Sequence, residues 1–147
     1  MNSQKTKPQF ISVPFKAASS NGMTEYNGIA KFSPAGIVFE FDSMMFGLIG
    51  GEVKEVRVAL KEIEDVKNKR RFFKYTLEIW LNNFRTLSEI PNKDGRIILQ
   101  ISKDDRPRAE EGIRILHSAR SESDALEILQ TPVSRLFDET EETPEWV

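Results

Sequence analysis

The fold of this chain is decided between Thr76 and Arg120, where the sequence contains two strand-like runs and one helical pattern. The first run reads Thr76-Leu77-Glu78-Ile79-Trp80-Leu81, and the second reads Arg96-Ile97-Ile98-Leu99-Gln100-Ile101-Ser102. Both are rich in β-branched, aromatic and aliphatic residues, which favour strands. From about Asp105 to Arg120, apolar residues recur at the i, i+4, i+7 spacing of an amphipathic helix. This order predicts an α+β protein, a small β-barrel or curled sheet that one C-terminal α-helix caps.

Length and composition indicate one globular domain and exclude several kinds of site. The chain has 147 residues, of which 39% are hydrophobic and 30% are charged, as in ordinary folded domains. It has no cysteine, which excludes disulfides, thiolate nucleophiles and Cys-ligated metals, and His117 is its only histidine. No apolar run reaches the ~18 residues of a membrane-spanning helix, and the first residues lack the apolar core of a secretory signal. These features predict a cytoplasmic protein.

Charge is distributed unevenly along the chain, although the net charge is only −2. Residues 54–120 carry a net charge of +5, whereas residues 121–147 carry −7. We therefore divide the chain into a domain over residues 1–120 and an acidic C-terminal extension over 121–147. The extension is expected to be partly disordered, and it is either solvated or shields a basic face of the domain.

Further elements are predicted on both sides of the deciding stretch. Tyr26–Phe32 and Ile37–Asp42 form a hairpin, because Pro34 and Gly36 between them suit a tight turn. Phe10–Phe15 is predicted to be an edge strand, since Pro14 has no N–H to donate to a second neighbour.

Three segments are less regular in pattern. The residues from Val53 to Val66 fit either a helical stripe or two strands that turn at Lys61 and Glu62. The apolar segment from Met44 to Gly51 is broken by three glycines and is predicted to be a loop. Beyond Ser121, the segment Ser123–Leu129 is predicted to form another short helix.

The order of these elements resembles the pleckstrin-homology (PH) superfold, and within it the GRAM-like and bacterial PH-like branch. The segments that carry the resemblance are similar to an opening hairpin (Gly28–Glu40), a strand-end motif (Val58–Val66) and a last strand (Ile97–Ile101). The resemblance implies a PH-like curled antiparallel β-barrel of about seven strands, capped by one C-terminal α-helix and with its core in residues 26–120. It also implies a strand over Val53–Leu60 and a binding module that holds phosphoinositides, peptides or partner domains. Lipid-binding members carry several basic residues across the first hairpin, where this chain offers only Lys31.

The densest basic cluster of the chain is the candidate site for an anionic ligand. Its residues are Lys67, Lys69, Arg70 and Arg71, with Lys74 close by. Such a cluster either binds anionic lipid head groups or is a solvated hairpin whose charges protect Phe72 and Phe73 from aggregation. Nucleic acid is an unfavoured ligand, because the net charge is negative and no aromatic-basic RNA-binding motif is present.

A second candidate surface is apolar and would bind a partner. It comprises Met44, Met45, Phe46, Leu48 and Ile49, which either project towards a partner or fold back over one end of the barrel. Trp80 joins this set, because strand alternation places it on the face opposite Leu77, Ile79 and Leu81. There it either anchors a partner or packs beneath neighbouring segments.

The sequence therefore predicts a non-enzymatic binding module. No catalytic constellation, metal site or cofactor-binding motif is found, and a lone His117 on a helix is typical of a surface residue. The leading hypothesis is protein–protein interaction or self-association through the PH-like barrel. The alternative is peripheral binding to anionic lipids at the inner face of a membrane, through the basic hairpin and the apolar loop.

Overall fold

The structure, a computed structural model, describes residues 10–19, 22–45 and 48–130, with the backbone alone for 43–45, 48–51 and 130. Its strands are β1 (Ile11–Ala18), β2 (Thr24–Ser33), β3 (Gly36–Met45), β4 (Leu48–Ala59), β5 (Ile63–Arg71), β6 (Lys74–Leu81) and β7 (Arg96–Ile101). Its helices are the short α1 (Phe84–Leu87) and the long α2 (Arg106–Gln130). Two 3-10 turns, Leu60–Glu62 and Lys103–Asp105, link β4 to β5 and precede α2.

The strands form a single antiparallel sheet in the order β4-β3-β2-β1-β7-β6-β5. The described parts of β4 and β5 are its two edges and do not pair with each other, so the sheet is open rather than a closed barrel. This architecture confirms the α+β prediction, with seven strands followed by a C-terminal helix, and is consistent with a curled sheet that this helix caps.

The core lies between the inner face of the sheet and the first half of α2. Alternate residues of each strand are buried, as a sheet with one covered face requires. The helix buries Ala109, Leu116 and Ala119 against β1 and β2. Gly112 lies on the same face, where an added Cβ would be 2.7 Å from Cγ of Phe32. The glycine thus permits the close approach of helix to sheet that its mid-helix position suggests.

The position of β1 differs from the predicted edge strand. It lies in the middle of the sheet, between β2 and β7. Pairing with β2 runs from Ile11 to Ala18, but pairing with β7 is confined to Lys16 and Gln100. Because β1 and β7 pair so little, Pro14 with its missing N–H is tolerated in a central strand.

The predicted loop from Met44 to Gly51 was wrong. The ladder between β3 and β4 continues to the end of the hairpin, where Met44 pairs with Ile49 and Met45 pairs with Leu48. Within this segment, residues 46 and 47 lie outside the described residues. A register shift between Phe41 and Ser43 interrupts the ladder without ending it. Backbone pairing therefore outweighs the low strand propensity of the glycines here.

The β4–β5 segment and the end of α2 can also be compared with the sequence-based expectations. The segment from Val53 to Val66 is strand, 3-10 turn and strand, as the resemblance implied and local helix propensity did not. The C-terminal helix does not end near Arg120, since α2 runs without a break to Gln130 and includes the segment expected to form a separate helix. Residues 131–147 lie outside the described residues, and with them the expectation of disorder there.

Candidate functional site

The hairpin of β5 and β6 ends in a two-residue turn made of Phe72 and Phe73. Arg71 pairs with Lys74, so the two phenylalanines alone connect the strands. The backbone of Phe72 has φ of 54°, in the left-handed region that two-residue hairpin turns require and that Gly, Asn and Asp occupy most easily. A bulky aromatic residue at this position is strained, by roughly 1–2 kcal/mol.

Both aromatic rings of this turn are exposed. Phe72 is 92% exposed and Phe73 is 95% exposed, the highest values among the large hydrophobic residues of the described chain. By contrast, Phe32 and Phe39 are fully buried in the core. Two adjacent apolar rings that project into solvent from a strained turn suggest a binding surface, since neither feature stabilises the isolated fold.

Three cations surround these rings. Arg70, Arg71 and Lys74 are exposed, and within the described residues none of them forms an ion pair. We call the surface formed by Arg70, Arg71, Phe72, Phe73 and Lys74 the hairpin tip. It combines three positive charges with two apolar rings in five consecutive residues.

The two remaining members of the predicted basic cluster lie further down β5 and have partners. Lys69 Nζ lies 3.2 Å from Oε2 of Glu78, a carboxylate that is only 5% exposed. Lys67 Nζ lies 3.9 Å from Oδ2 of Asp65 and 5.5 Å from the ring centroid of Trp80. The structure thus divides the cluster into cations held by the sheet and free cations at the hairpin tip.

The base of the hairpin tip is held by a residue that the sequence analysis missed. Arg106, the first residue of α2, donates from Nη2 to the carbonyl oxygen of Phe73 over 3.4 Å. Its guanidinium carbon lies 5.4 Å from the ring centroid of Tyr75, within the range of a cation–π interaction. Arg106 Nε is buried and has no hydrogen-bond partner among the described residues. No local pattern signals this contact, because the two residues are 33 positions apart.

Trp80 occupies the outer face of β6, as strand alternation predicts, while Leu77, Ile79 and Leu81 are buried on the inner face. Its side chain is half-buried, and its strand neighbours are Asp65 on β5 and Arg96 on β7. Trp80 lies six residues beyond Lys74, which is about 20 Å along a strand. It is therefore not part of the hairpin tip.

The apolar candidate surface lies elsewhere in the sheet order. Met44, Met45, Leu48 and Ile49 are at the far end of the β3–β4 hairpin, where the structure describes only the backbone. Phe46 lies outside the described residues. The sheet order places β4 at one edge and β5 at the other, so pairing does not join this hairpin to the basic cluster.

Metal binding and membrane spanning find no support in the described residues. They contain no group of His, Asp or Glu side chains placed to hold a metal ion. No helix among them is long and apolar enough to cross a bilayer. Comparison of the chain with protein-family models, curated proteins and solved structures finds no significant match.

Proposed function

We propose that this protein is a non-enzymatic binding module that attaches peripherally to an anionic membrane surface through its hairpin tip. One observation carries the proposal: Phe72 and Phe73 are 92% and 95% exposed between three cations that have no ion-pair partner among the described residues. Aromatic residues beside Arg and Lys suit the boundary between acyl chains and phosphate groups. Such an anionic surface is typical of the cytoplasmic leaflet, which agrees with a cytoplasmic location.

Energies support a joint role for the rings and the charges. Burying a phenylalanine side chain contributes about 1.5–3 kcal/mol, so the pair contributes about 3–6 kcal/mol at most. Each cation near an anionic membrane contributes about 1 kcal/mol, or about 3 kcal/mol for Arg70, Arg71 and Lys74. Because the two contributions are comparable and the costs of association are subtracted from both, neither alone is expected to give stable attachment.

The PH-like assignment, with its GRAM-like branch, is part of this proposal. It is supported by the number of antiparallel strands and by the single long helix that follows them. The residue that could bind lipid on the first hairpin, Lys31, lies 3.0 Å from Oε2 of Glu40 and is therefore already paired. The hairpin tip is the better site, because its cations have no ion-pair partner among the described residues and adjoin exposed rings.

Protein–protein interaction is the second candidate function. It is favoured by a different observation, the exposed leucine and isoleucine side chains at the end of α2. The Met44–Ile49 segment stays a candidate partner surface on sequence grounds alone.

Co-sedimentation with vesicles tests the membrane proposal. The full chain is expected to pellet with phosphatidylcholine vesicles that contain phosphatidylserine, less at ~0.15 M salt than at low salt, and not with phosphatidylcholine alone. The double variant Arg70→Glu/Arg71→Glu should lose binding, and so should Phe72→Ser/Phe73→Ser. Arg85→Glu/Lys93→Glu is the matched control, because both residues are exposed near the opposite end of β6. Equal binding by the tip variants and the control would refute the proposal.

A further inference from the structure

The last part of α2 borders open clefts beside the turn between β4 and β5 but buries none of its residues. The helix buries residues up to Ala119, whereas every residue from Ser121 to Leu129 is exposed. Leu126, Ile128 and Leu129 are 54%, 67% and 78% exposed. We call residues 121–130 the helix end. An apolar helical surface of this kind is stabilised only when something covers it.

The charge of the helix end is negative. It carries Glu122, Asp124 and Glu127 and no basic residue. Glu122 shares one helical face with Leu126 and Leu129, because residues three, four and seven positions apart lie on the same side of a helix. A positively charged, apolar partner would cover the two leucines and pair with this carboxylate.

The hairpin tip has the complementary properties, but it is out of reach within the same molecule. Arg106 contacts the carbonyl oxygen of Phe73, which places the start of α2 at the tip. Leu126 lies roughly 20 residues further along α2, or about 30 Å at a rise of 1.5 Å per residue. The tip and the helix end of one copy therefore cannot touch, and a contact between them requires two copies.

We propose that the helix end of one copy docks on the hairpin tip of a second copy. In this arrangement Leu126 and Leu129 cover Phe72 and Phe73, while Glu122, one turn before Leu126 on the same helical face, approaches the cations of the tip. The alternatives that use two identical surfaces are disfavoured by charge, because helix end against helix end brings acidic groups together and tip against tip brings basic groups together. The proposal does not depend on membrane binding, although both use the same tip.

The geometry of such a contact determines the kind of assembly. Each copy has one tip and one helix end, so the contact is heterologous and leaves a free surface at each end of a dimer. Short head-to-tail chains are expected to form as concentration rises. Two phenylalanines and a few aliphatic side chains cover less than the ~1,200 Å² of a standard stable interface, so association should be weak and sensitive to salt. A membrane that occupies the tip would compete with this contact.

Complementation between two variants tests the proposal with the full chain in sedimentation velocity runs. Phe72→Ser/Phe73→Ser removes the apolar part of the tip, and Leu126→Gln/Leu129→Gln removes that of the helix end without introducing poor helix formers. The wild-type protein should show a mass that rises with concentration above 16.9 kDa. Each variant alone should stay monomeric, and their equimolar mixture should form a 1:1 dimer that does not grow further. Failure of the mixture to exceed the monomer mass would overturn the proposal.

A charge exchange provides an independent second test. Arg70→Glu/Arg71→Glu and Glu122→Lys should each weaken association, and the variant that combines the three changes should regain it. If the three changes together leave the protein monomeric, the charge pairing is wrong. If deletion of residues 131–147 abolishes association while both helix-end variants keep it, the acidic tail is the occupant instead and the proposal is overturned.

The outcomes also separate this proposal from membrane attachment. Leu126→Gln/Leu129→Gln should lose self-association and retain vesicle binding, because the tip is intact. A protein that fails to bind vesicles but forms the complemented dimer would contradict only the membrane proposal. One that binds vesicles and stays monomeric at every concentration would contradict only the head-to-tail contact.

Discussion

Arg106 Nη2 donates to the carbonyl oxygen of Phe73 over 3.4 Å and thereby joins the first residue of α2 to the turn of the β5–β6 hairpin. The same guanidinium group lies above the ring of Tyr75, which is buried at the start of β6. The backbone of the turn is thus held against the folded domain while both phenylalanine rings point into solvent. A fixed backbone with exposed rings reduces the ordering cost of binding, because less of the turn has to be immobilised when a surface is met.

Replacement of Arg106 should loosen this arrangement. Arg106→Ala removes a hydrogen bond and a cation–π contact, each of which contributes about 0.5–1 kcal/mol. We expect the free energy of unfolding, measured by urea denaturation, to fall by about 1–2 kcal/mol. The matched control is Arg114→Ala on the same helix. Among the described residues its ion-pair partner is the half-exposed Glu111, and the change should alter stability by less than ~0.5 kcal/mol. Equal effects of the two changes would show that the tip is not held by α2.

Phe72→Gly should stabilise the fold and weaken binding to anionic vesicles. Glycine relieves roughly 1–2 kcal/mol of strain at this positive φ, and the exposed ring contributes little to the core. Glycine also gives the unfolded chain more freedom, which costs about 0.5–1 kcal/mol, so the free energy of unfolding should rise by about 0.5 kcal/mol. The lost ring should nevertheless reduce vesicle binding. Phe73→Gly is the control, because Phe73 does not have a positive φ and should show no gain in stability. A loss of stability in Phe72→Gly would mean that this ring supports the fold.

The sequence was most informative where a local pattern and a strand coincide. The alternation in Thr76–Leu81 places Leu77 and Ile79 inside and Trp80 outside, and the structure has them there. Pattern alone did not decide Val53–Val66. That segment is extended because β4 pairs with β3, starting where Ala59 lies opposite Gly36. Local helix propensity takes no account of such long-range pairing.

The candidate site was predicted only in part, and for a physical reason. The run of basic residues is visible in the sequence, but whether Phe72 and Phe73 form a turn or enter the core depends on the register of Arg71 with Lys74. That register is set by pairing along the whole of β5 and β6. The contribution of Arg106 was missed for the same reason, since it depends on where α2 begins relative to a hairpin far earlier in the chain.

Gly112→Ala should destabilise the protein although it replaces glycine within a helix. The change gains about 1 kcal/mol of helix propensity, but overpacking a core costs about 1–3 kcal/mol. The added Cβ would lie 2.7 Å and 2.9 Å from two ring atoms of Phe32, a fully buried side chain. We therefore expect a net loss of about 1 kcal/mol in urea denaturation. Ser118→Ala, on the exposed side of α2, should instead raise the free energy of unfolding by about 0.5 kcal/mol. A gain in stability at both positions would mean that helix and sheet separate easily.

Glu78→Gln should lower stability and strengthen binding to anionic vesicles. Glu78 is buried between Lys69 and Arg96, with its carboxylate oxygens 3.2 Å and 3.3 Å from their nitrogen atoms. Loss of its charge leaves two neighbouring cations unpaired, which should cost about 1–3 kcal/mol in the free energy of unfolding. The same change adds one net positive charge to the face of β5 that leads to the hairpin tip. This charge should strengthen vesicle binding by up to ~1 kcal/mol, or roughly fivefold in affinity.

Glu40→Gln is the matched control for this prediction. Glu40 pairs with Lys31 over 3.0 Å, but both side chains are about one-third exposed, so this change should cost less than ~1 kcal/mol of stability. Both variants alter the net charge of the protein equally. An identical gain in vesicle affinity for the two would therefore indicate a response to total charge, whereas a gain for Glu78→Gln alone would indicate that the membrane is met by the basic face of β5 and the hairpin tip.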